Sequence, residues 1–95
     1  MNKDNFFYIK SWVRVYNNSV EIAVQDFQDE DKTGGWSHLV KKDKKLVKRL
    51  QRMFLEKNKR IAKNLMNHEN FGIRFGANLV LEEKDYEFEK RNYKI

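Results

Sequence analysis

Asn17-Asn18 sits between two stretches, Phe6 to Tyr16 and Ser19 to Phe27, in which polar and apolar residues alternate. A period of two marks a strand whose faces differ, and paired asparagines suit a two-residue hairpin turn because they tolerate positive φ. Such a turn leaves no freedom of register. Tyr16 then faces Ser19, Arg14 faces Glu21, Trp12 faces Ala23, Lys10 faces Gln25 and Tyr8 faces Phe27. In the same register Val15 falls opposite Val20, Val13 opposite Ile22 and Ser11 opposite Val24, so one side is apolar throughout. An apolar sheet face must be covered, and that requirement governs the reading of the remaining chain.

The chain has 95 residues, enough for one core and too few for two, so a single domain over 1–95 is expected. It has no cysteine, which removes disulfides, zinc-thiolate sites and cysteine nucleophiles and fits a reducing compartment. No apolar run approaches the roughly 18 residues of a membrane span, and the first residues lack a secretory pattern. A cytoplasmic protein is the expectation. Lysine and asparagine are abundant and proline is absent, a bias common in AT-rich genomes, those of many bacteriophages included.

After the hairpin comes an acidic loop closed by Gly34-Gly35, then Trp36 to Val40, which reads either as a strand or as the start of a helix. Asp43 is a good N-cap, and a helix is expected from about Asp43 to His68, with Asn70 and Gly72 as stop signals. Beyond it Ile73, Phe75, Leu79 and Leu81 alternate, Gly76-Ala77-Asn78 reads as a turn or bulge, and a last strand holds Tyr86 and Phe88. The expected fold is α+β, in the order β-β-α-β-β: an antiparallel sheet of about four strands packed on one long basic amphipathic helix.

The positive charge is confined to that helix. Residues 1–42 hold six cations and six acids, residues 69–95 five cations and six acids, but residues 43–68 hold nine cations against only Asp43 and Glu56. At roughly 100° per residue, Leu46, Val47, Leu50, Met53, Phe54, Ile61 and Leu65 form one stripe. Lys45, Lys48, Arg49, Arg52, Lys59, Arg60 and Lys63 lie opposite, a row ~27 Å long at ~1.5 Å per residue. Lys57 is a misfit within the apolar stripe. A merely solvated face usually mixes signs, whereas like charges three and four residues apart repel; an anionic partner is the stronger reading of this face. A membrane surface is the weaker one, because the apolar stripe that would anchor the helix is needed to cover the sheet.

The polar side of the hairpin carries Tyr8, Lys10, Trp12, Arg14 and Tyr16. Aromatic rings interleaved with cations are how sheets that bind RNA or single-stranded DNA stack bases and hold phosphates. The competing explanation is structural: Arg14 faces Glu21, and the tail is free to cover Trp12. Other chemistry is thin. Asp26, Asp29, Glu30 and Asp31 lack the spacing of a calcium loop, and His38 and His68 belong to no motif, so neither a metal, a cofactor nor a catalytic constellation is expected. The preferred reading is a non-catalytic nucleic-acid-binding protein for RNA or single-stranded DNA. The alternative is a viral-type accessory inhibitor whose basic helix occupies an acidic or nucleic-acid-bearing host protein. Oligomeric state is not legible.

Residues 12–50, WVRVYNNSVEIAVQDFQDEDKTGGWSHLVKKDKKLVKRL, resemble in layout the second half of a transcriptional coactivator domain that lays single-stranded DNA across its sheet. The resemblance covers under half of the chain, and that family's preceding hairpin is missing here. It implies hairpin, polar loop and helix in succession.

Overall fold

A computed structural model describes residues 8–27 and 34–91, the side chains of Tyr8, Ile9, Asp26 and Phe27 aside. Among the described residues four strands and three helices follow one another: β1 (Tyr8–Val15), β2 (Val20–Phe27), β3 (Gly34–Val40), α1 (Lys44–Glu56), α2 (Lys59–Leu65), α3 (Phe71–Leu81) and β4 (Glu87–Lys90). The fold is α+β with one four-stranded sheet in the order β3-β2-β1-β4.

The hairpin has the register that its turn length implies, from Tyr8 opposite Phe27 to Val15 opposite Val20, and Tyr16 donates its backbone N–H to Ser19 O at 2.9 Å. The turn itself differs from expectation. Among the described residues only Lys57 and Glu83 are non-glycines at positive φ, so Asn17 and Asn18 do not use the left-handed region. A side chain from α1 secures the turn instead: Gln51 Nε2 donates to Tyr16 O at 2.8 Å and to Asn17 O at 3.2 Å.

Trp36 to Val40 resolves as strand, with Val40 opposite Val20 and Trp36 opposite Val24. Its even-numbered side chains join the apolar face, and the core gathers Val13, Val15, Val20, Ile22 and Val40 from the sheet with Leu50, Met53, Phe54, Leu65, Ile73 and Leu79 from the helices. The predicted stripe is therefore the buried one, with Leu46 and Ile61 at its half-buried margin.

The helical part of the expectation is corrected at two places. The single long helix is broken at Lys57, which adopts φ 52° and ψ 48°, and its own N–H and that of Asn58 both turn back to Met53 O. Asn58 then caps a new helix by accepting from Ile61 N at 3.1 Å. The misfit lysine of the stripe is thus the joint between α1 and α2, its ammonium 5.1 Å from the Tyr86 ring centroid.

The segment expected as a strand from Ile73 is the helix α3. Asn70, expected as a stop signal, is its N-cap and accepts from Gly72 N at 2.7 Å and Ile73 N at 3.2 Å. A nearly continuous apolar run fits either period, and the cap decides it. Gly76 is not a turn but a close approach, since a Cβ there would lie 2.7 Å from Ile22 Cδ1 and 3.0 Å from Phe54 Cζ.

With α3 in place one strand, β4, remains among the described residues. The helices return the chain so that β4 runs parallel to β1, Trp12 opposite Glu87 and Val15 opposite Lys90. The sheet is mixed and not antiparallel. Among the described residues no helix is long and apolar enough to cross a membrane.

The joint at Lys57 makes a prediction whose sign separates two helices from one. Lys57→Gly is expected to raise stability by ~0.5–1 kcal/mol, because glycine adopts positive φ without the ~1–2 kcal/mol steric cost, less the lost contact with Tyr86. In a continuous helix the same change would lower stability by about 1 kcal/mol. The urea midpoint of the variant measures which.

Candidate nucleic-acid interface

The candidate residues divide between two opposite surfaces. On the open face of the sheet, β4 places acids beside the β1 cations, since Glu87 and Glu89 share register with Trp12 and Arg14. Lys10 Nζ lies 3.0 Å from Glu87 Oε2. Arg14 reaches Glu21 Oε1 through Nη1 and Glu89 Oε1 through Nε, each at 3.2 Å, and its guanidinium sits 5.3 Å from the Trp12 ring centroid. Burial alone lowers the Arg14 pKa, but the hydrogen bonds to Glu21 and Glu89, with the nearby negative charge of Glu21, together outweigh it and leave the guanidinium above its usual value.

The aromatics of that face are only partly available. Tyr16 is buried, with its hydroxyl 3.4 Å from Glu21 Oε1. Trp12 is half-buried, opposite the buried Ala23, and its indole Nε1 is enclosed with no hydrogen-bond partner among the described residues. The Tyr8 side chain lies outside the described residues. As arranged, this is a surface of paired charges around one half-covered indole, with one ring face of Trp12 attended by Arg14.

The helical surface is the reverse. Lys45, Lys48, Arg49 and Arg52 on α1, and Lys59, Arg60 and Lys63 on α2, are all exposed. Arg52 approaches Glu56 at 3.7 Å, a solvent-exposed i,i+4 contact of little strength, and Lys59 pairs with Glu83. That hydrogen bond and the lysine's charge hold the exposed Glu83 below its ordinary pKa. Lys45, Lys48, Arg49, Arg60 and Lys63 have no carboxylate partner among the described residues. The break at Lys57 divides the expected ~27 Å row: the α1 cations span roughly 10 Å at 1.5 Å per residue, and those on α2 belong to a separate helix.

Two features escaped sequence reasoning. His38 and His68 line one recess of about 590 Å³ together with Asp43 and Glu69, though no group of three metal-binding side chains occurs among the described residues. His68 Nδ1 is occupied in accepting from Asn70 N at 2.9 Å. Phe71 is 58% exposed and packs edge-on to Trp36 at 5.5 Å between centroids, while Phe75 approaches the same indole at 5.2 Å. Neither grouping has a signature in linear spacing, because sheet register and α3 bring its members together. The acidic residues Asp29, Glu30 and Asp31, and the Asp26 side chain, lie outside the described residues.

No family model, characterised protein or solved structure matches the chain.

The open face carries a pH prediction. The Arg91 hydrogen bond, with that of Arg14 added and partial desolvation opposing, holds the Glu89 carboxyl below its ordinary pKa. A depressed carboxylate contributes stability above its unfolded pKa, about 4.3, and loses it as pH falls through the folded value. In a Trp36→Phe variant, Trp12 emission is expected to stay constant from neutrality to about pH 5 and to change below about pH 4. Adding Glu89→Gln should shrink that acid step, as fluorescence titration of the two variants will show.

Proposed function

We propose that the protein is a small non-catalytic nucleic-acid-binding module for RNA or single-stranded DNA, with phosphates on the helical surface. One observation carries the proposal: Lys45, Lys48 and Arg49 project from α1 without carboxylate partners among the described residues, whereas Lys10 and Arg14 on the sheet have them. Like charges at i,i+3 and i,i+4 repel, and a strand of phosphates relieves that repulsion while releasing its own counterions. Separation of the cations onto two helices favours a flexible strand, which bends to follow them, over a rigid duplex. The opposite sheet face, with the expected row of Tyr8, Trp12 and Tyr16, is the weaker candidate for contact with the strand: Tyr16 is buried, Trp12 is half-buried, and Lys10 and Arg14 take phosphate only at the expense of their pairs with Glu87, Glu21 and Glu89.

If four to seven phosphates are engaged, log K against log salt is expected to fall with a slope of about −3 to −5, at ~0.7 per contact for single strands. A binding series that stays flat with salt removes the proposal. Arg49→Glu with Arg52→Glu should weaken binding without changing the circular-dichroism spectrum, since both side chains are exposed.

A second reading, an accessory inhibitor of a host protein or nucleoprotein, is favoured by the exposed Phe71 beside Trp36 and Phe75. An apolar aromatic group at a sheet edge suits a protein partner better than a phosphate backbone. Co-purification separates the readings: nucleic acid released by strong salt supports the first, and one stoichiometric protein that survives salt and nuclease supports the second.

A further inference from the structure

Where the hairpin turn meets α1, a recess of about 410 Å³ is lined by Asn17, Asn18, Lys41, Lys44, Lys48 and Gln51 over the side chain of Val47. Three lysines thus border one hollow, and among the described residues no Asp or Glu lines it. Lys41 follows β3 and Lys44 and Lys48 lie one turn apart on α1, so strand and helix set the cations around the turn from two directions. The turn supplies neutral amides on the remaining side. Its carbonyls at Tyr16 and Asn17 would repel an anion, but both already accept from Gln51 Nε2. The helix terminus is not the attraction here, because Asp43 occupies it by accepting from Leu46 N at 3.1 Å.

We propose that this recess is a binding site for a phosphate group, held by Lys41, Lys44 and Lys48 with the Asn17 and Asn18 amides as neutral donors. Lysine binds phosphate as a point charge with three donors, and three of them around a hollow give a local density of positive charge that an isolated lysine on an open helix face lacks. The assignment deepens the nucleic-acid proposal, on which it rests for the source of the phosphate: a terminal phosphate or an internal phosphodiester of the same strand. Lys41 and Lys44 also extend the α1 surface toward the turn, at positions outside the row of like charges read from the sequence.

The test uses the full chain and two double variants with equal loss of charge, Lys41→Gln with Lys44→Gln at the recess and Arg60→Gln with Lys63→Gln on α2. Inorganic phosphate is titrated at constant ionic strength while side-chain amide resonances are followed by NMR. Saturable shifts are expected at Asn17, Asn18 and Gln51, with Asn64 on α2 as the distant control; the recess variant should abolish them and the α2 variant should not. Equal drift at Asn64, or saturation that survives in the recess variant, overturns the site. Oligonucleotides of one sequence with and without a 5′-phosphate then identify the source. A terminal phosphate in the recess predicts about tenfold tighter binding of the phosphorylated strand, lost in the recess variant. An internal phosphate predicts that both strands bind alike and that the recess variant weakens both, with a salt slope lower by about 1.4 for two contacts. Saturable phosphate shifts without binding of either strand would refute the nucleic-acid proposal and leave the phosphate site standing.

Discussion

The apolar inner face of the two central strands is the constraint on which the molecule depends. Val13, Val15, Val20 and Ile22 are each at most 2% exposed, and they remain so only because helices lie across them. Leu50, Met53, Phe54 and Ile73 provide that cover, and burial of such side chains contributes ~1.5–3 kcal/mol each. Nothing else staples the chain, which lacks cysteine. The need for cover fixes which side of α1 and α2 turns inward, and so which residues turn outward. The exposed cations are a consequence of that orientation; that Lys45, Lys48, Arg49, Arg60 and Lys63 have no carboxylate partner among the described residues is not, and calls for a separate cause.

The two outer surfaces differ in how charge is balanced. On the sheet, a short strand brings Glu87 and Glu89 beside Lys10 and Arg14, and Glu21 completes the set. On α1 and α2 Glu56 and Glu83 answer two cations, and Lys45, Lys48, Arg49, Arg60 and Lys63 are exposed without a carboxylate partner among the described residues. Exposed pairs contribute little to stability, about 0–1 kcal/mol, so the contrast bears more on binding than on folding. A polyanion that approaches the sheet must compete with carboxylates already in place, whereas on α1 it meets charge whose mutual repulsion it relieves. The same reasoning gives the lysines around the Asn17-Asn18 turn their interest.

The hairpin register was legible because a two-residue loop and a period-two pattern over-determine it. The helix break was not, although Asn58 is a fair N-cap residue, because the apolar stripe continues through it from Phe54 to Ile61 and periodicity alone does not see a change of axis. The α3 segment misled because Phe71, Ile73 and Phe75 alternate while Ile73, Ala77 and Val80 keep helical spacing. Only the pairing of Asn70 with the N–H groups of Gly72 and Ile73 separates the two. The candidate cations were legible from composition along the chain, but their partners were not: that Glu87 meets Lys10 depends on a parallel pairing between segments about 75 residues apart. For the same reason the convergence of Lys41, Lys44 and Asn18 belongs to tertiary structure alone.

The central claim, that the helical surface and not the sheet meets a polyanion, is tested most directly by lysine footprinting. The 95-residue chain is briefly acetylated with and without a single-stranded oligonucleotide at low salt, and each lysine's labelling is read by mass spectrometry. The account predicts protection of Lys44, Lys45 and Lys48 with Lys10 and Lys84 unchanged. Protection of Lys10 with the α1 lysines fully labelled, or no difference at any lysine, would contradict it.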